Sequence, residues 1–121
     1  MRRTMIVFIM AVTFFFSECA FSREARIQRI QSRHPQWDQA TIEQVAAGRV
    51  EVGMTEEMVV EILKKPWEVA HEGQRVVWIY MTHVIGAWGE LRPVPAFFVY
   101  LKDGKVAETK GDQRRVVTPL W

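Results

Sequence analysis

The hydrophobic positions divide the chain into three stretches that follow different periods. Residues 5–16 form an almost unbroken apolar run, and residues 39–63 place apolar side chains every three or four positions. From residue 76 onward, apolar and polar side chains tend to alternate. A spacing of three or four predicts helices and an alternation predicts strands, so we expect helices first and a sheet after them.

The N-terminal stretch predicts export. Arg2 and Arg3 precede the apolar run, which at about 12 residues is too short to cross a bilayer core, where about 20 are needed. Basic residues, a short apolar segment and then small residues are the layout of a secretory signal. We therefore predict a signal peptide over residues 1–22, and a mature protein in the periplasm or on the periplasmic face of the outer membrane. The alternative is a lipoprotein anchored through Cys19, although Glu18 fits that signal poorly.

The next stretch predicts helices. Residues 22–33 indicate a short helix or a flexible arm. Asp38 can accept a hydrogen bond at the start of a further helix, and Gly48 can end it in a left-handed conformation. Apolar residues of that helix share one face, namely Ile42, Val45 and Ala46.

The clearest local signal lies between residues 53 and 66. Thr55 is a good N-terminal cap, and Glu56 and Glu57 follow it in the first turn, where they complement the helix dipole. Pro66 then ends the predicted helix. The buried stripe of this helix is predicted to consist of Val59, Ile62 and Leu63.

The alternating stretch predicts an antiparallel sheet. We expect main strands over residues 76–81, 96–101 and 106–109, with Asp103-Gly104 as the turn between the last two. Residues 67–70 could add a short edge strand. Residues 82–95 contain two glycines and two prolines, which predicts a long loop. The expected fold class is α+β, a two-layer ααβββ sandwich with two helices on a three-stranded sheet.

These elements predict four segments. The signal peptide over residues 1–22 is followed by an N-terminal arm or short helix over residues 23–35. The α+β domain then occupies residues 36–112, and a C-terminal tail occupies residues 113–121.

Several motifs occur in the order found in a known family. The chain resembles the SmpA/OmlA (BamE-like) family of outer-membrane lipoproteins over about residues 42–109, at Gly53, Met54, Thr55, Val59, Leu63, Pro66, Trp78, Tyr80, Asp103 and Gly104. These residues are predicted to be structural. The resemblance implies an ααβββ fold and an accessory role in the assembly of outer-membrane β-barrels. Lys65 stands where the family has glycine, so the turn that leaves the helix must be built in another way.

The composition argues against several other functions. The formal net charge of +2 gives no reason to expect nucleic acid. Cys19 is the only cysteine, and His34, His71 and His83 are scattered, so we predict no metal site, no cofactor and no intrachain disulfide. We predict that the protein is not an enzyme. If it were one, His83, Glu90 and Arg92 around the predicted loop would be the place for catalysis.

The predicted loop is the better candidate for function. Trp88, Leu91 and Arg92 lie in it, and Trp121 ends the chain. Tryptophan and arginine are enriched where proteins bind each other, so these four residues are our candidate partner-binding residues. The alternative is that Trp88 folds back over the sheet.

The expected partners are envelope proteins, including subunits of barrel assembly. Association with the membrane is expected only through a lipid on Cys19 or through a partner. The alternative function is a soluble periplasmic binding or inhibitor module of the same fold, with no role in barrel assembly.

Overall fold

The computed structural model describes residues 22–117, and it is an α+β structure as predicted. Three helices come first: α1 over residues 22–33, α2 (Gln39–Ala46) and α3 (Glu56–Leu63). Four strands follow: β1 (Glu68–Glu72), β2 (Arg75–Ile85), β3 (Leu91–Lys102) and β4 (Lys105–Gly111). A short 3-10 helix, Gln113–Arg115, comes after them.

The chain forms two compact units that meet in sequence at Ala47 and Gly48. In the first unit, residues 22–33 are helical rather than extended, and the Arg26 guanidinium donates to the Ala46 carbonyl at 3.0 Å. Asp38 caps α2 by accepting from the Thr41 backbone N–H at 2.8 Å, as predicted. The buried apolar side chains of this unit are Ile30, Ile42, Val45 and Ala46.

The second unit begins with α3. Thr55 caps this helix by accepting from the Met58 backbone N–H, and Val59 is fully buried, both as predicted. The helix ends at Leu63 because Lys64 adopts a left-handed φ of 66°, two residues before Pro66. Lys64 therefore carries the backbone strain of this turn. The glycine of the family that the chain resembles would stand one position later, at Lys65.

The sheet contains four antiparallel strands in the order β1-β2-β3-β4, rather than the three main strands that we predicted. The additional strand is β1, close to the short edge strand expected at residues 67–70. The turn between β3 and β4 is Asp103-Gly104 with positive φ at both residues, as predicted. Helix α3 and residues 50–54 cover one face of the sheet, and the buried core there consists of Val50, Met54, Val59, Tyr80, Phe97, Val99, Leu101 and Val106.

The prediction of a long loop over residues 82–95 is wrong. Strand β2 continues to Ile85 and β3 starts at Leu91, so only residues 86–90 connect them. Pro93 and Pro95 are compatible with β3 because they pair with His83 and Met81 in positions where the ring nitrogen points away from β2. Proline is tolerated at such an edge, where its missing N–H breaks no ladder bond.

A β-bulge lies where the sheet changes from four strands to two. Tyr80 pairs with Phe97 and Met81 pairs with Pro95, so Ala96 is an extra residue in β3. Strand β4 ends beside this bulge at Gly111, which has a φ of 91°. A Cβ atom at position 111 would collide with the Ala96 carbonyl oxygen, so only glycine fits there without a backbone shift.

Candidate functional site: a projecting hairpin arm

The C-terminal end of β2 and the N-terminal end of β3 project beyond the rest of the sheet. The pairing of β1 with β2 ends at Ile79, and the pairing of β4 with β3 begins at Phe97. Within residues 22–117, the strand segments of residues 81–95, called here the hairpin arm, therefore pair only with each other. At about 3.3 Å per residue, its strands extend the ribbon by roughly 15 Å before the turn.

The base of the arm is held by two side chains and by the end of the described chain. The Val117 backbone N–H donates to the Met81 carbonyl at 3.0 Å, and the Trp67 indole N–H donates to the Val117 carbonyl at 3.2 Å. The Trp67 ring also meets the His83 ring edge-on, with 5.6 Å between the centroids. These contacts fix the direction in which the arm leaves the sheet.

The far end of the arm, residues 85–91, exposes large apolar side chains, and we call it the tip. Ile85 and Leu91 lie directly opposite each other across the two strands, so their side chains share one face. Their exposed fractions are 76% and 66%, and that of Trp88 is 94%. These are three of the five large apolar side chains that are exposed within residues 22–117. Apolar side chains concentrated in this way typically mark a contact surface.

The polar groups of the tip bind each other. The Gly86 N–H donates to the Glu90 carbonyl at 2.8 Å, and the Gly89 N–H donates to the Gly86 carbonyl at 3.1 Å. The Glu90 carboxylate accepts from the Trp88 N–H at 3.0 Å and lies 4.0 Å from the Arg92 guanidinium. The turn that presents Trp88 is thus ordered before any partner arrives, which lowers the entropic cost of binding.

The structure brings together three of the four predicted partner-binding residues. Trp88 and Leu91 belong to the tip, and Arg92, with 65% of its side chain exposed, lies next to it. Trp88 does not fold back over the sheet. Trp121 and Cys19 lie outside the described residues. Sequence reasoning missed Ile85, which the strand register pairs with Leu91.

The family-motif residues have structural roles in this fold. Met54, Val59 and Tyr80 are buried in the core, and Leu63 and Trp78 pack against it half-buried. Gly53 has a φ of 94° and donates its N–H to the Val106 carbonyl at 2.8 Å. The Tyr80 hydroxyl donates to the Lys64 carbonyl at 2.9 Å, and its burial raises the pKa of the phenol. None of them contributes to the tip.

The candidate catalytic group is not assembled as a reactive site. The His83 ring contacts the Trp67 ring, and within residues 22–117 its side chain makes no hydrogen bond or ion pair. Glu90 instead binds within the tip. The described part of the chain contains no group of three or more His, Cys, Asp or Glu placed to hold a metal ion. None of the helices described is both long enough and apolar enough to cross a membrane.

A second surface feature lies where the 3-10 helix meets the start of the sheet unit. The Gln113 side chain donates to the Gly48 carbonyl at 2.6 Å and accepts from the Val50 N–H at 2.9 Å. An open depression of about 540 Å³ lies beside these bonds and is lined by Gly48, Arg49, Asp112, Gln113 and Arg114. We call these two hydrogen bonds the Gln113 clasp. Because they occupy both the nitrogen and the oxygen of the side-chain amide, the role of Gln113 at this depression is structural.

Comparison with protein-family models, with curated proteins and with solved structures finds no match to this chain.

Proposed function

We propose that this protein is a non-enzymatic adaptor of the cell envelope that binds other proteins through the tip of the hairpin arm. The observation that supports this proposal is the exposure of Ile85, Trp88 and Leu91 together at the end of a projecting ribbon. The expected partners are other envelope proteins, and the predicted signal peptide would deliver the chain to them.

The chemistry of the tip suits a protein partner. Trp88 offers a large apolar surface with one N–H donor, and Arg92, next to the tip, offers a planar cation. Both side-chain types are enriched among binding hot spots. Because Trp88 is 94% exposed, burying its indole in a partner's pocket would remove a large apolar surface from water.

The resemblance to the SmpA/OmlA family supports a more specific version of this proposal. In that version the chain is an accessory subunit of outer-membrane β-barrel assembly. The hairpin arm would then be a feature of this chain that adds a binding surface to the family framework.

The test is cross-linking in living cells followed by purification of the full-length protein through a C-terminal tag. Mass spectrometry would identify both the partners and the mature N-terminus of the protein. The informative variant is Trp88→Ala, and the matched control is Val52→Ala, which truncates a side chain that is 68% exposed but lies outside the arm. We expect Trp88→Ala to reduce recovery of the partners at least about tenfold and Val52→Ala to leave it unchanged.

Each outcome has a distinct meaning. Equal recovery by the two variants would remove the tip as the binding surface. Recovery of barrel-assembly subunits would support the specific version, and a lipid on Cys19 would explain how the protein is held at the membrane. A protein that begins at Arg23 and recovers none of those subunits would favour the soluble periplasmic binding or inhibitor module.

A further inference from the structure

The outer edge of β2 accepts backbone hydrogen bonds from two other parts of the chain, and beyond them it makes none within residues 22–117. The Ile79 carbonyl accepts from the Trp67 N–H at 3.1 Å, and the Met81 carbonyl accepts from the Val117 N–H at 3.0 Å. Both acceptors point away from β3. Because alternate residues of an antiparallel strand point the same way, the next outward-facing groups belong to His83 and Ile85. Neither residue makes a backbone hydrogen bond on that edge to any residue between 22 and 117.

The other edges of the sheet are protected against pairing. The outer edge of β3 within the arm contains Pro93 and Pro95, which have no N–H to donate. The start of β4 is already bonded, because Val106 exchanges hydrogen bonds with Gly53 and Met54, and the rest of this strand carries the charged residues Glu108 and Lys110.

The outer strand β1 is short and charged at both of its ends, Glu68 and Glu72. Prolines, charges and short strands are the devices by which proteins prevent unwanted pairing at sheet edges. Within the described chain, the arm's β2 edge carries none of them.

We propose that this edge, at His83 and Ile85, is a strand-addition site that pairs with an extended segment of a partner protein. The proposal rests on the function proposed above and specifies how the partner binds. An incoming strand would continue the line of bonds that Trp67 and Val117 begin at Ile79 and Met81. Main-chain hydrogen bonds would supply affinity, and the apolar side chains beside them would supply selectivity.

The geometry also defines the chemistry of the partner segment. It is extended, has N–H groups at the paired positions and therefore no proline there, and is rich in β-branched residues. Side chains on one face of such a strand would lie beside Ile85 and across from Leu91, so that face is apolar. Trp88, beyond the end of the new pairing, would contact the surface from which the partner strand emerges.

The probe is a nine-residue peptide of alternating threonine and valine with a lysine at each end, acetylated and amidated. Its matched control is the same peptide with N-methyl groups on alternate valines, which keeps the side chains and removes the pairing N–H groups. Amide hydrogen exchange of the whole exported protein would be measured by NMR with each peptide. We expect the first peptide alone to slow exchange at the amides of His83 and Ile85 at least about tenfold.

A pair of variants tests the same edge through affinity. His83→Pro removes an outward N–H that takes no part in the β2–β3 ladder, just as Pro93 does on the opposite strand. His83→Thr removes the same side chain and keeps the N–H. Peptide affinity, measured by fluorescence anisotropy, should fall about tenfold in His83→Pro and remain within about twofold in His83→Thr.

Three results would overturn the strand-addition site: no slowing at those two amides at millimolar peptide, slowing at β1 or β4 instead, or equal binding of the N-methylated peptide. The exchange measurement uses the unaltered protein, so it decides the question even if His83→Pro does not fold. If Trp88→Ala loses the envelope partners while His83→Pro retains them, the proposed function stands and strand addition fails.

Discussion

Strands β2 and β3 each run through two different surroundings. In the half near the β3–β4 turn, both strands lie inside a four-stranded sheet covered by α3, and Val99 and Leu101 are buried. In the other half, the same two strands have no further strand partner in the described part of the chain, and Ile85 and Leu91 are exposed. The strand geometry is shared, so the difference comes from what packs against it.

This comparison shows how the arm stays ordered. An isolated two-stranded hairpin is marginally stable in water, because it buries too little apolar surface. Here the ribbon continues strands that are anchored in the core, and Trp67 and Val117 brace its base. The arm therefore derives its order from the buried half and can present apolar side chains that it does not need for its own stability.

The sharpest test of the comparison uses two leucines of the same strand. Leu101 is 2% exposed in the buried half of β3, and Leu91 is 66% exposed at the tip. We expect Leu101→Ala to lower the free energy of unfolding by about 3 kcal/mol, through lost burial and the cavity that remains. Leu91→Ala should change it by no more than about 0.5 kcal/mol. Urea unfolding monitored by circular dichroism measures both values.

A large destabilisation by Leu91→Ala would break the comparison, because it would mean that the tip packs against something within the chain. The same variant should still weaken partner binding. The pair of leucines thus separates residues that stabilise the fold from residues that are available for contact.

The boundary between the two halves depends on Gly111. An Ala side chain there would meet the Ala96 carbonyl and would also require an unfavourable φ of 91°. We expect Gly111→Ala to cost about 2 kcal/mol of unfolding free energy. The control is Gly73→Ala, which has a φ of 64° but no atom within 4 Å of the added Cβ, and should cost about 1 kcal/mol. Equal losses in urea unfolding would show that the contact with the bulge does not matter.

Tyr80 is the last fully buried residue of β2 before the arm begins. Removing its hydroxyl in Tyr80→Phe deletes the hydrogen bond to the Lys64 carbonyl, and we expect a loss of about 1 kcal/mol at neutral pH. A loss near zero would indicate that the strained turn at Lys64 does not need this bond.

The same residue predicts a dependence on pH. Burial raises the pKa of Tyr80 above that of a tyrosine in the unfolded chain, so the folded protein retains a proton that the unfolded chain releases above about pH 10. Stability from this group is complete below that pH and declines as the pH rises above it. Tyr80→Phe should therefore lose less stability than the unaltered protein between pH 9 and about pH 11. Parallel curves would contradict this account.

The sequence predicted the elements whose signals are local. Asp38 and Thr55 cap their helices as expected, because a cap depends only on the next few residues. Asp103-Gly104 forms the expected turn for the same reason.

The segment over residues 82–95 was mispredicted because prolines and glycines were interpreted by type and not by position. Pro93 and Pro95 are two residues apart, so both ring nitrogens point to the same edge of one strand. Two prolines spaced in this way indicate a strand in which one edge lacks N–H groups while the other edge can still pair.

The exposure of Trp88 could not be deduced from the sequence. An indole in a glycine-rich turn can cover the sheet or point away from it, and the choice depends on contacts distant in sequence. Here the Glu90 carboxylate holds the Trp88 backbone, and the turn contacts hold the residues around it. These contacts can be predicted only once the strand register, which places Ile85 opposite Leu91, is known.

The Gln113 clasp has a consequence for how the sheet unit folds. It joins the segment after β4 to the segment that precedes α3, at Gly48 and Val50. These partners are 65 and 63 positions from Gln113 in sequence, so their hydrogen bonds can form only after the strands between them have been brought together. The clasp is therefore a marker of the completed fold, and its loss would be an early sign that the unit is opening.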